Sequence, residues 1–174
     1  LWHTLATYFR RKYGVRVQKI PLDAGATCPN RDGTLSARGC IFCNDSGSGS
    51  GMGLRGLDLR AQWDAWYTKY TTTDSDRLFM AYLQSFSNTY GPASRLAHLL
   101  EQVAALPGCR GIAVGTRPDC LDGEKLALLA GCGGSGDGGG AAQTPDAANT
   151  STVSSQSISL NTNYVVLKPG SSKT

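Results

Sequence analysis

Between residues 15 and 130, short apolar runs alternate with amphipathic segments, and this alternation restricts the fold more than any other feature of the chain. Val15, Val17 and Ile20 fall on one side of an extended stretch, the pattern of a half-buried strand. Leu57 to Tyr70 reads as a helix, with Leu59, Trp63, Trp66 and Tyr70 at 4-3-4 spacing. Leu78 to Leu83 is a continuous apolar run, as in a buried parallel strand. Pro92 suits a first helical position. Leu96, Leu99, Leu100, Val103 and Leu106 then form one apolar face, and Pro107-Gly108 ends that helix. Gly111 to Gly115 is a second buried strand, and Asp122 can cap a helix whose apolar residues include Leu126 and Leu129. A short basic helix over 2–13, stopped by Gly14, precedes the series.

Strands alternating with helices imply an α/β fold with a parallel sheet. Right-handed crossovers place the strand-end loops on one face. The loop Pro21 to Gly53, the loop Gln84 to Gly91 and the loop Thr116 to Cys120 should therefore open together at the carboxyl edge, where ligands of α/β proteins bind.

After Ala130 the chain changes character. Residues 131–140 read GCGGSGDGGG, no lysine or arginine occurs between Lys125 and Lys168, and Tyr164 is the sole aromatic residue after Tyr90. The 22 glycines of the 174 residues exceed the usual share of about 7%. A stretch so poor in apolar surface cannot offset its ordering entropy, so 131–174 is expected to be a low-complexity, mostly disordered tail, with one weak strand over 159–168. Gly134, Gly136 and Gly139 match G-x-G-x-x-G without a preceding strand, and Asn44 and Asn149 match the glycosylation pattern without a signal peptide; all three matches read as chance. No apolar run reaches the roughly 20 residues of a membrane helix, so no membrane partner is expected. The net charge of +4 permits an anionic substrate without demanding nucleic acid. The chain opens on Leu1, which reads as a fragment of a longer protein.

Six cysteines are too few for a disulfide scaffold, and a reducing, cytoplasmic compartment is expected. Cys28, Cys40 and Cys43 share the long loop with spacing C-x11-C-x2-C. A loop of this length in a compact domain is usually functional or disordered, and three thiols favour function. Structural zinc wants four ligands, yet His3 and His98 lie on other segments and Asp45 is a weak fourth donor. Three thiolates suit a [4Fe-4S] cluster whose fourth iron stays open. The alternative is three ordinary loop cysteines. Cys109, Cys120 and Cys132 sit on separate elements and read as lone thiols.

The segment Tyr13 to Asn44, YGVRVQKIPLDAGATCPNRDGTLSARGCIFCN, together with LFMAYLQSFSNTYGP (Leu78 to Pro92) and GIAVGTRPDCL (Gly111 to Leu121), resembles the radical S-adenosylmethionine superfamily, in particular the YhcC-type group related to the elongator catalytic subunit. The resemblance runs over roughly 8–130. It implies that 1–130 is the N-terminal part of a TIM-like partial (β/α) barrel, with its cluster loop at 21–53. Cys28, Cys40 and Cys43 would ligate three irons of a [4Fe-4S] cluster, and S-adenosylmethionine would chelate the fourth. Reductive cleavage of that cofactor would yield a 5′-deoxyadenosyl radical. Phe42 falls where the family carries an aromatic near the adenine. Gln84, Ser85 and Asn88 follow the second strand, where the family binds the cofactor's amino group; such residues are also turn-formers. Arg117 and Asp119 follow the third strand, to meet a carboxylate or ribose or to pair with each other.

A reductant such as flavodoxin or ferredoxin is the implied protein partner, the substrate is open, and kinship with the elongator subunit points to tRNA. The likeness ends near Ala130, before the βα units that complete such barrels, so the expectation is a chain that holds the cluster, turns over poorly and leaves the edge of its third strand unprotected. The competing readings are a non-catalytic iron–sulfur or zinc module and an RNA-binding domain; no RNA-binding motif supports the latter.

Overall fold

The computed structural model describes residues 4–73, 76–131 and 164–167, the last of these by backbone alone. Helix α1 (Leu5–Tyr13) starts at Thr4, whose hydroxyl accepts from the Thr7 N–H at 3.1 Å. It ends at Gly14, whose φ of 74° is a left-handed cap that glycine adopts without a Cβ penalty. Arg10, Arg11 and Lys12 occupy its last turn, where cations complement the helix dipole.

Strand β1 (Arg16–Leu22), β2 (Arg77–Leu83) and β3 (Cys109–Gly115) are mutually parallel in the order 1-2-3, with Ile20 opposite Ala81 and Ala81 opposite Ile112. Helices α2 (Leu59–Thr71), α3 (Ala93–Ala104) and α4 (Gly123–Gly131) follow β1, β2 and β3 in turn. The expected α/β fold with three parallel strands is therefore present as an open sheet. Its outer edge is not bare. Strand β4 (Tyr164–Leu167), inside the stretch expected to form one weak strand, pairs antiparallel with β3 and covers the edge that was expected to be exposed. Gly131, where the low-complexity tail was expected to begin, is the last residue of α4; the rest of that tail, and Cys132 with it, lies outside the described residues.

One main core packs the helices against a single sheet face. Ile20, Leu22, Phe79, Ala81, Leu83, Ile112 and Val114 meet Trp63 of α2, Leu96, Leu99, Leu100 and Val103 of α3, and Leu129 of α4. Trp63 is fully buried, and its indole N–H donates to the Pro107 carbonyl at 3.0 Å, which ties α2 to the turn entering β3. The opposite face carries a smaller cluster of Phe9, Met80 and Ala113, with Val17 against it.

Two local expectations are corrected. Val17 and Ile20 lie in different clusters on opposite faces, because residues three apart in a strand of period two cannot share a side. Pro92 is the N-cap of α3 rather than its first residue. On α4, Leu129 reaches the core and Leu126 is 43% exposed, a division the sequence left open. Strand β1 also runs on through Pro21; an edge strand tolerates the missing N–H. Among the described residues no helix is long and apolar enough to cross a membrane.

Candidate functional site

The three strand-end loops meet at the carboxyl edge of the sheet. The first is anchored at its root by Gln62. Its Oε1 accepts from the Asp23 N–H at 2.8 Å, and its Nε2 donates to the carbonyls of Asp23 and Leu57 at 3.0 and 2.8 Å. The loop is then folded on itself. The Cys28 carbonyl accepts from the N–H groups of Arg31 and Asp32, and the Cys43 N–H donates to the Cys40 carbonyl at 3.0 Å, closing a tight turn between the two later cysteines. Arg31 reaches across the loop to the carbonyls of Asn44 and Asp45.

The second loop clasps the first. Phe86 N–H donates to the Gly47 carbonyl, Ser87 N–H to the Thr27 carbonyl, and Gln84 Nε2 to the Ser48 carbonyl at 2.6 Å. Phe86, at φ 60°, holds a left-handed conformation that non-glycine residues seldom adopt, and its ring lies 5.4 Å from the Arg31 guanidinium. Glycine at 47 and 49 permits the close approach: a Cβ at either position would overlap the side chain of Phe86 or Ser85. Asn88 joins this loop to the third, since its Nδ2 donates to the carbonyls of Leu83, Ser85 and Gly115 at 3.0 to 3.2 Å.

The expected ligands Cys28, Cys40 and Cys43 are all half-buried at this edge. Each sulfur meets a side-chain donor: Ser87 Oγ lies 3.6 Å from Cys28 Sγ, Asn30 Nδ2 3.1 Å from Cys40 Sγ, and Ser48 Oγ 3.9 Å from Cys43 Sγ. These three donors were not picked out by the sequence. Asn30 and Ser48 lie in the cysteine loop itself, and Ser87 stands between two residues that were. Among the described residues no group of three Cys, His, Asp or Glu side chains converges on a point that would hold a single metal ion. A multi-iron cluster does not need such convergence, because each thiolate takes a different iron. A closed zinc tetrahedron would need a fourth protein ligand beside these three hydrogen-bonded thiols.

The four residues expected at the organic cofactor differ in their surroundings. Ser85 and Asn88 are fully buried, and among the described residues Ser85 Oγ and Asn88 Oδ1 are buried polar atoms without a hydrogen-bond partner. Such atoms are costly unless something outside the described protein satisfies them. Gln84 is engaged with Ser48. Phe42 is 80% exposed and Ile41 beside it fully so, at the outer turn of the loop.

In the third loop Arg117 and Asp119 pair with each other, at 2.9 and 2.6 Å. The pairing holds the Asp119 carboxyl below the usual carboxylate range and drives Arg117 up, with a further contribution from Cys28. Cys120 is buried, and burial followed by the Asp119 charge pushes its thiol up.

This chain is similar to YtqA of Bacillus subtilis. The two are 40% identical over 129 residues, which are 74% of this chain and 40% of YtqA. Protein YhcC of Escherichia coli K12 is 32% identical over 120 residues, 68% of this chain and 37% of YhcC. An uncharacterised protein of Methanocaldococcus jannaschii is 29% identical over 126 residues, 71% of this chain and 37% of its own length. The chain thus spans about two fifths of the length of these curated relatives. No family model matches the chain, and no solved structure matches it.

Proposed function

We propose that residues up to about 130 are the N-terminal part of a radical S-adenosylmethionine core, a partial TIM-like barrel, with a [4Fe-4S] cluster held by Cys28, Cys40 and Cys43. The observation that carries this reading is the meeting, at one sheet edge, of three half-buried thiols on one loop with two buried, partnerless polar atoms, Ser85 Oγ and Asn88 Oδ1. Successive parallel strands run 1-2-3 with the two crossover helices α2 and α3, and α4 after β3, against one face, the winding with which a (β/α) barrel begins.

Cys28, Cys40 and Cys43 would hold the cluster, which when bound and reduced would supply the electron for reductive cleavage of S-adenosylmethionine. The residues of this chain do the holding. Ser85 Oγ and Asn88 Oδ1 would accept from the ammonium of the cofactor once the Gly49 segment that lies against Ser85 gives way. Asn88 keeps its amide edge turned to three carbonyls, so its Oδ1 is the free end. Gln84 acts on the site indirectly, by pinning Ser48 and with it the Cys43 end of the loop. Phe42 and Ile41 give the loop an apolar outer turn that an adenine face can cover. A one-electron donor of the flavodoxin or ferredoxin class, a cytoplasmic setting, and an RNA-related substrate complete the reading.

The test is anaerobic reconstitution of the full chain with iron and sulfide, followed by dithionite and S-adenosylmethionine. The expected result is a brown protein with about four irons that forms 5′-deoxyadenosine. Iron should collapse when Cys28, Cys40 or Cys43 is replaced singly by Ala and survive a combined Cys109→Ala, Cys120→Ala, Cys132→Ala variant. Stoichiometric zinc without a cluster, or loss of iron only in the combined variant, overturns the assignment.

A further inference from the structure

The three loop sulfurs differ from the core thiol in the direction of their hydrogen bonds. Cys109 gives its S–H to the Gly111 carbonyl at 3.3 Å. Cys40 must instead accept, because the Asn30 amide nitrogen that faces it at 3.1 Å can only donate. Cys28 likewise receives the hydroxyl of Ser87 at 3.6 Å.

Both donors are fixed by their own backbone. The Asn30 carbonyl accepts from Gly39 N–H at 2.8 Å, which closes the loop just ahead of Cys40. The Ser87 N–H donates to the Thr27 carbonyl at 3.2 Å, and Ser87 is 2% exposed, so its hydroxyl stays beside Cys28. Ser48, at 3.9 Å from Cys43, is the weakest of the set. A donor aimed at a sulfur draws off electron density and favours the more negative state of the group it ligates, which raises a reduction potential.

We propose that Asn30 and Ser87 are positioning residues that act through Cys40 and Cys28 to set the reduction potential of the cluster. This rests on the cluster assignment made above. Two loops separated by 59 residues thus share control of the potential, and the docking of the β2 loop on the cysteine loop is what brings Ser87 into range.

The experiment is a redox titration of the full, reconstituted chain, followed by electron paramagnetic resonance. Asn30→Leu and Ser87→Ala should keep the iron content of the wild type. Each should make reduction about tenfold less favourable, a fall of about 59 mV for a one-electron couple. Asn30→Asp, equal in shape, sets a negative charge by Cys40 and should lower the potential further, while Ser87→Thr retains a hydroxyl and should restore it. Thr34→Ala is the structural control: it removes the 2.9 Å contact from the cysteine loop to Tyr90 of the β2 loop and touches no sulfur, so its potential should not move. Unmoved potentials in Asn30→Leu and Ser87→Ala, or an equal shift in Thr34→Ala, overturn the inference and leave the cluster assignment standing. A wild type that takes up no cluster overturns both. If Ser87→Ala does not fold, the two Asn30 variants decide.

Discussion

Gln62 and Asp23 are joined by a closed pair of hydrogen bonds, Asp23 N–H to Gln62 Oε1 at 2.8 Å and Gln62 Nε2 to the Asp23 carbonyl at 3.0 Å, although 39 residues separate them. A fully buried side-chain amide thereby takes over the backbone pairing where β1 ends and the cysteine loop begins. Gln62→Leu keeps the volume and strands the N–H and carbonyl of Asp23 together with the carbonyl of Leu57. The expected loss is about 2–4 kcal/mol, from leaving such groups unpaired. Urea unfolding measures it, and native hydrogen exchange should show the Asp23 amide losing protection first.

Asn88 makes the corresponding junction between β2 and β3. Asn88→Ala should cost about 2–3 kcal/mol, because the carbonyls of Leu83, Ser85 and Gly115 lose one shared donor. Asn88→Asp should be worse at neutral pH than at pH 4. A carboxylate facing three carbonyls is disfavoured, so the folded state raises its pKa. The unfolded chain then gives up its proton first, and stability falls as pH rises. Thermal melts of the two variants across that range provide the check, and equal pH profiles would count against the geometry.

Ser85 separates a structural role from a functional one. Its hydroxyl is buried with no partner, so Ser85→Ala should leave stability unchanged or raise it by about 1 kcal/mol. Under the proposed function the same variant should bind S-adenosylmethionine several-fold more weakly, as read by equilibrium dialysis. A methyl group at position 49 would overlap Ser85 Oγ, so Gly49→Ala should loosen the cysteine loop, and adding Ser85→Gly should recover part of the loss.

The thiols divide by burial. Burial pushes the Cys109 thiol up, ahead of smaller opposing effects from the Gly111 and Ala81 backbone and Arg110. With its folded value raised, Cys109 contributes stability that is fully present below the unfolded thiol value of roughly 8.5 and is lost as pH climbs through the folded one. Between pH 8 and pH 10 the wild type should therefore lose more stability than Cys109→Ala. Iodoacetamide on the native, metal-free chain should label Cys28, Cys40 and Cys43 well before Cys109 and Cys120, as followed by peptide mass spectrometry.

Sequence periodicity was sufficient to place α1, α2, α3, α4, β2 and β3, because helical and strand repeats are local properties of successive side chains. It also named the α3 face, Leu96, Leu99, Leu100, Val103 and Leu106, all of which are buried. The rule that crossovers are right-handed was enough to send three loops to one edge. The side assigned to Val17 broke the strand's own period of two, and the bare edge assigned to β3 was misread because it depends on which distant segment comes to cover it. Of the bonds at the candidate site, the Arg117–Asp119 pair was among the expectations, whereas the long-range ones were not legible. Gln62 meets Asp23, Ser87 meets Cys28 and Asn88 meets Gly115 across 39, 59 and 27 residues. No local repeat encodes such contacts. Tertiary packing brings these polar groups out of water together, and a buried donor or acceptor must then find its partner from whatever segment the fold has placed beside it.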